Sequence, residues 1–221
     1  MPLFGAHMST AGGLYKAFER AHRVQAEALQ IFTRNQRQWA VPPLGDEERA
    51  AFMAAHGEWG NRPLAAHGSY LINLANPRKE AVSRSIGALC EEISRCSRLH
   101  IPYLIIHPGA HMGSGGHAFA AGYDIRTRET YEKTFQEFDS LIGLERLRFF
   151  HLNDSKRELA SRIDRHDHIG KGKIGTGGFS LLVNDARFKN HPMVLETPKG
   201  KDLAEDRRNL RLLRSLVGKN R

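Results

Sequence analysis

Tyr103-Leu104-Ile105-Ile106-His107-Pro108-Gly109 is the stretch that decides how this chain is to be read. A short apolar run ends on an imidazole, and proline and glycine then stop it. A run of this length bounded by turn residues reads as a strand buried on both faces. The pattern recurs three times: Leu64-Ala65-Ala66 runs into His67, Leu147-Arg148-Phe149-Phe150 into His151, and Met193-Val194-Leu195 into Glu196. In a parallel α/β barrel the C-terminal strand ends converge on one face, where the active site sits. Imidazole and carboxylate arriving there from four strands build a metal site from parts distant in sequence.

Outward from these runs, strands and helices alternate along the whole chain. Strands are expected over 3–7, 28–33, 62–67, 102–107, 147–151 and 192–196, and helices over 13–26, 46–56, 77–99, 127–142, 178–185 and 203–216. Pro77 is placed to start the longest helix, where a missing N–H costs nothing. Alternation of this kind predicts an α/β fold with a parallel sheet and crossover helices. The expectation is a single domain spanning 1–221, of TIM-barrel type but incomplete, with six strands where a closed barrel has eight.

Bulk properties narrow the function classes. Net charge is +9 and the pI is near 9.8, which favours a polyanionic partner. Part of that charge is a basic C-terminal tail beginning at Lys199. No apolar run approaches the ~20 residues of a membrane span, and the N-terminus lacks the pattern of a secretory signal. Cys90 and Cys96 are the only cysteines and give no disulfide framework. A reducing cytoplasm is the expected location.

Twelve histidines are present, about twice the usual share. His67, His107 and His151 stand where apolar strands give way to turns and are the candidate ligands, whereas His22, His56, His100 and His191 belong to helices or their edges. Asp164-Arg165-His166 places a carboxylate and an imidazole on one side of an extended segment. Asp167 and His168 are rivals one step on, and His117 is a possible third arm. One Asp with two His suits zinc or manganese better than magnesium. Arg34-Asn35-Gln36-Arg37-Gln38-Trp39 suits phosphate contacts and base stacking, or else a helix cap with a packed Trp. Gly170-Lys171-Gly172-Lys173-Ile174-Gly175 offers backbone N–H groups to phosphate without matching a P-loop.

These segments together resemble the endonuclease IV family of zinc-dependent abasic-site endonucleases, which are TIM barrels. The resemblance is carried by Gly5-Ala6-His7, the stretch from Phe32 to Trp39, His67-Gly68-Ser69-Tyr70-Leu71, and His107-Pro108-Gly109-Ala110-His111. It continues through His117-Ala118-Phe119-Ala120-Ala121-Gly122-Tyr123-Asp124, His151-Leu152-Asn153-Asp154-Ser155-Lys156, Asp164-Arg165-His166 and Leu195-Glu196-Thr197, in the family's order. It implies three zinc ions: the first on His67 and His107, the second on His151 and Glu196, the third on His117, Asp164 and His166. It further implies that Arg37, Tyr70 and Leu71 enter double-stranded DNA at an abasic site. Zinc-bound hydroxide would then cut the phosphodiester 5′ to the lesion. Family members are expected to be monomers.

One departure stands out. Two strand–helix units of the family are missing at a junction near 116–117, and with them a glutamate bridging the first two zincs and an aspartate on the second. Fewer than three zincs are then expected, with Asp154, Asp124 and His111 as substitutes to examine. Exposed sheet edges would promote self-association. The alternative to an enzyme is a non-catalytic remnant that binds DNA or zinc. A sugar isomerase or epimerase, a third reading, is disfavoured by the DNA-entering loops and the charge.

Overall fold

The computed structural model describes residues 1–107, 118–200 and 202–219. Its elements, in chain order, begin with β1 (Leu3–Met8), α1 (Lys16–Arg23), β2 (Ala28–Phe32), α2 (Asp46–Glu58), β3 (Leu64–His67), α3 (Lys79–Arg98) and β4 (Tyr103–Ile105). They continue with α4 (Ala118–Ala121), α5 (Arg128–Leu141), β5 (Phe150–Leu152), β6 (Asp154–Ser155), β7 (His166–Asp167), α6 (Gly175–Val183), β8 (Pro192–Leu195) and α7 (Ala204–Leu216). The chain divides into two compact units, one of residues 1–6 and 114–221, the other of residues 7–113.

In the unit of residues 7–113, β2, β3 and β4 form parallel pairs, with Phe32 opposite His67 and His67 opposite Ile105. Leu29, Ile31, Leu64, Ala65 and Ala66 are at most 1% exposed, so these strands are covered on both faces. That is why they read as unbroken apolar runs. Phe18 of α1 and Phe52 of α2 pack with ring centroids 5.0 Å apart. Three residues form β4 where 102–107 was expected, so His107 lies two residues beyond its strand. Helix α3 starts at Lys79 rather than Pro77, because Arg78 keeps an extended backbone and donates its N–H to Asn76 Oδ1 at 3.0 Å. That local turn competes with the helix for the first donor.

In the other unit, β8 lies between β1 and β5, parallel to both. Met193, Val194 and Leu195 are fully buried, as are Leu210 and Leu213 of α7. Burial of side chains of this size contributes about 1.5–3 kcal/mol each. Strand β5 begins at Phe150 and not at 147, so His151 sits inside it. A 3-10 turn occupies Leu144–Arg146, and the Leu147 carbonyl pairs with the His191 ring at 3.0 Å, which takes it out of the sheet ladder. The antiparallel pair β6–β7 is an addition that the apolar pattern could not show, since both strands are polar and two residues long.

A partly buried polar cluster ties α5 to the loop before β8. Tyr131 donates its hydroxyl to Asp185 Oδ2 at 2.7 Å, and Arg187 reaches the same carboxylate at 2.6 Å. Burial pushes the Asp185 carboxyl up, but the Arg187 guanidinium and Tyr131 hydroxyl outweigh it and hold it below its ordinary 3.8. A depressed carboxylate adds stability above its unfolded pKa and loses it as pH falls through the folded one. Asp185→Asn is therefore expected to cost about 1–3 kcal/mol at pH 7 and almost nothing once pH is well below 3.8. Urea unfolding at the two pH values checks this; an equal loss at both would contradict it.

Candidate metal centre

Three pairs of donor atoms stand at nearly the same spacing. In the unit of residues 7–113, His67 Nε2 and His107 Nε2 are 3.3 Å apart. In the other unit, His151 Nδ1 and Glu196 Oε2 are 3.2 Å apart, and His166 Nε2 and Asp164 Oδ1 are also 3.2 Å apart. Two ligand atoms at zinc–ligand distances of about 2.0–2.1 Å, set at a tetrahedral angle, lie roughly 3.3 Å from each other. Each spacing brings two ligand atoms within reach of one ion.

Ring tautomers agree with ligand duty. His67 Nδ1 lies 2.7 Å from Gly68 O, and His166 Nδ1 lies 2.7 Å from Glu196 O. A carbonyl only accepts, so both Nδ1 atoms carry the proton and both Nε2 atoms present the lone pair. Metal-binding histidines are commonly oriented by such a bond. Glu196 therefore serves twice, its side chain facing His151 and its carbonyl fixing His166. Burial works against a charge on His166, but Asp164 beside it and the Glu196 carbonyl prevail and raise its pKa above 6.5.

A cavity of about 100 Å³ adjoins these two pairs, lined by His151, Asn153, Asp164 and Phe119 among others. Asn153 Oδ1 is buried there with no hydrogen-bond partner among the described residues. The donor chemistry, tautomers and spacings all fit zinc, two donors at a time. Among the described residues, no three His, Cys, Asp or Glu side chains converge closely enough to hold one ion. His117, expected as the third arm beside Asp164 and His166, lies outside the described residues, as does His111.

The structure gives the rival residues other partners. Asp167 accepts from the His168 backbone N–H at 2.8 Å, and His168 is paired with Asn209. Asp154 is fully buried and spends its carboxylate on three backbone donors: Ser155 at 2.8 Å, Ile174 at 2.9 Å and Gly175 at 3.2 Å. Asp124 is gripped by Arg126 through two contacts of 2.9 and 2.8 Å. Asp154 is thereby committed to the backbone and Asp124 to Arg126.

The same bonds correct the expectation that residues 170–175 cradle a phosphate. The N–H groups of Ile174 and Gly175 already hold Asp154, and that of Lys173 holds Ser155 O at 2.8 Å. A helix N-terminus attracts an anion, and here the anion belongs to the chain. Gly172 is required because a Cβ there would strike Ser155 O and Asp154 Oδ1.

The loops that carry Arg37, Tyr70 and Leu71 belong to the unit of residues 7–113. Arg37 is exposed, Tyr70 is 64% exposed, and Leu71 is half-buried. Phe32 and His67 both place their ring centroids 5.5 Å from that of Tyr70, so it stands beside a candidate metal ligand. Trp39 is half-buried with Arg84 4.7 Å above its ring, and Arg34 reaches the Gln38 and Trp39 carbonyls, which closes the loop beneath Arg37. Sequence reading did not single out Glu92, which is 1% exposed under both loops. Its helical phase with buried Ser85, Ala88 and Cys96 was the available signal.

Six strands in parallel pairings, crossover helices and donors at strand ends define a barrel-class protein. A family model for xylose isomerase-like TIM barrels matches residues 18–116 and 114–216. A probable endonuclease 4 from Chloroflexus aggregans is 44% identical, covering 98% of this chain and 98% of its own length. Another from Geobacter sulfurreducens is 39% identical, covering 96% of this chain and 94% of its own length. The crystal structure of endonuclease IV from Thermus thermophilus matches with a TM-score of 0.89 at 30% identity, covering 97% of this chain and 98% of that one. The chain belongs to the endonuclease IV family. Its alignment with the Chloroflexus aggregans protein runs over 281 positions, 60 more than this chain has residues.

Proposed function

We propose that this chain is an endonuclease IV-type DNA repair hydrolase. It binds double-stranded DNA at abasic sites and hydrolyses the phosphodiester 5′ to the lesion. The observation that carries the reading is the three donor pairs at zinc-like spacing, on a chain 44% identical to a probable endonuclease 4. His67 and His107 would hold one zinc, His151 and Glu196 a second, and Asp164, His166 and His117 a third. Zinc, when bound, supplies a Lewis acid for phosphoryl oxygens and brings the pKa of water near neutrality. Arg37, Tyr70 and Leu71 enter the duplex from their loops, and the net charge of +9 draws the backbone in. The protein acts in the cytoplasm as a single barrel domain and a monomer. No helix among the described residues is long and apolar enough to cross a membrane.

A junction near 116–117, where two strand–helix units are missing, belongs to this reading. It is supported by the two matched segments that meet at 114–116 and by an alignment 60 positions longer than this chain. A second reading, a non-catalytic remnant that binds DNA or zinc, is favoured by one observation: Asp154 and Asp124, which could stand in for the family's two missing carboxylates, are already engaged by backbone N–H groups and by Arg126.

Incision of a duplex with one abasic-site analogue decides between them. Zinc-loaded protein is prepared from a host without an enzyme of this type, and an EDTA-treated sample is the control. EDTA-sensitive cleavage 5′ to the lesion is expected. Folded, zinc-bearing protein that leaves the duplex intact would establish the remnant.

A further inference from the structure

Glu92 lies in the middle of α3, outside both loops that carry Arg37 and Tyr70, yet it bonds to the base of each. Its Oε2 accepts from Thr33 Oγ1 at 2.7 Å, at the root of the first loop. Its Oε1 accepts from the Ser69 backbone N–H at 3.2 Å, next to Tyr70 in the second, and lies 3.6 Å from Arg34 Nε. From there the network spreads. Arg34 holds the carbonyls of Gln38 and Trp39, and Ser69 Oγ donates to Gln36 O at 2.8 Å. The same hydroxyl accepts from the Leu71 N–H at 3.2 Å. One turn along α3, Arg95 donates to Thr33 O at 3.0 Å and to Pro42 O at 3.2 Å. Arg37 is thus bracketed on both sides, and Tyr70 is flanked by two residues that the network holds.

A carboxylate 1% exposed is a costly way to fill a core position. Burial raises the Glu92 pKa even though Thr33, Arg34, Ser69 and Arg95 pull against it. Replacing buried charge with well-packed apolar side chains is often neutral or stabilising, so a buried ion pair is weak evidence of a stability role. What an apolar residue cannot do is bond two loops at once in a fixed relation. Side chains that must meet a ligand need this kind of support.

We propose that Glu92 is a positioning residue that locks the loop of residues 33–42 and the loop of residues 68–71 into one platform. It thereby sets the geometry in which Arg37, Tyr70 and Leu71 meet the lesion. This rests on the DNA reading given above.

Fluorescence anisotropy of the full chain tests it, with a duplex bearing a tetrahydrofuran abasic analogue and the same duplex intact. Glu92→Gln keeps size and one acceptor oxygen but removes the charge. Its preference for abasic over intact duplex is expected to fall about tenfold, equivalent to about 1.4 kcal/mol, with zinc content and circular dichroism unchanged. Arg37→Ala/Tyr70→Ala should lose the preference, and adding Glu92→Gln to that pair should change nothing further. Residues acting through one another are non-additive in this way.

A Glu92→Gln preference within about twofold of the unsubstituted chain, a difference too small to mark a lost positioning contact, would overturn the proposal. A triple variant whose loss multiplies the two separate losses would also overturn it, because Glu92 would then act independently of the loops. Should Glu92→Gln not fold, Ser69→Ala carries the test, since it cuts the link to Gln36 and Leu71 and leaves Glu92 in place. A fall of about threefold or more supports the proposal, and an unchanged preference overturns it. Equal affinity of the unsubstituted chain for both duplexes would instead defeat the DNA reading itself, and this proposal with it.

Discussion

Asp154→Ala is expected to cost about 3–5 kcal/mol of folding stability, a large share of the roughly 5–15 kcal/mol that holds an ordinary domain together. Its carboxylate accepts from the N–H groups of Ser155, Ile174 and Gly175, and the side chain is fully buried. Deleting it takes that acceptor from three donors, at about 1–3 kcal/mol for each that water cannot reach. It also frees the N-terminus of α6 from its charge partner. Asp154→Asn keeps one acceptor oxygen and should lose roughly half as much. Urea unfolding measures both, and zinc per folded molecule should stay unchanged because Asp154 is no ligand. A loss below about 1 kcal/mol, or a fall in zinc, would return Asp154 to the metal-binding groups. The result bears on the proposed function directly: under the reading in which two of the family's carboxylates are missing, Asp154 is committed to the N-terminus of α6 and does not stand in for either.

Much of the fold is legible in the sequence because the parallel strands are covered on two faces. Runs such as Leu64-Ala65-Ala66 and Met193-Val194-Leu195 become unbroken apolar strands, and each ends in a polar residue where its strand stops. The pairings of His67 with His107, His151 with Glu196, and Asp164 with His166 follow from that placement together with the family resemblance. What stayed hidden depends on bonds between segments far apart in the chain. Nothing local shows that the glycines of residues 170–175 wrap Asp154, because the acceptor comes 20 residues earlier than Ile174. Glu92 reads as an ordinary helix carboxylate until Thr33, 59 positions away, is found bonded to it. Strand β5 starts later than its apolar run because the His191 ring captures the Leu147 carbonyl. Apolar periodicity carries no record of such captures.

Zinc affinity should separate the three donor pairs by the number of ligands each can gather. Zinc is held by four ligands in structural sites and by three protein ligands in catalytic ones. A pair alone is therefore a weak site, and only Asp164 and His166 have an expected third partner, His117. His166→Ala is expected to weaken the tightest zinc by at least about a hundredfold, whereas His67→Ala should leave that zinc in place. Protons compete for the same atom. Because the His166 pKa is raised, its lone pair is lost to a proton at a higher pH than an ordinary imidazole's. Tight binding should accordingly be complete in alkaline buffer and begin to fade, as pH falls, while still above 6.5. Competitive titration against a chromophoric chelator reads affinity and pH dependence together. Unchanged affinity in His166→Ala would sink the third site. An equal loss in His67→Ala and His166→Ala would mean that the pairs are one cooperative centre, in which case zinc would bind all of them or none.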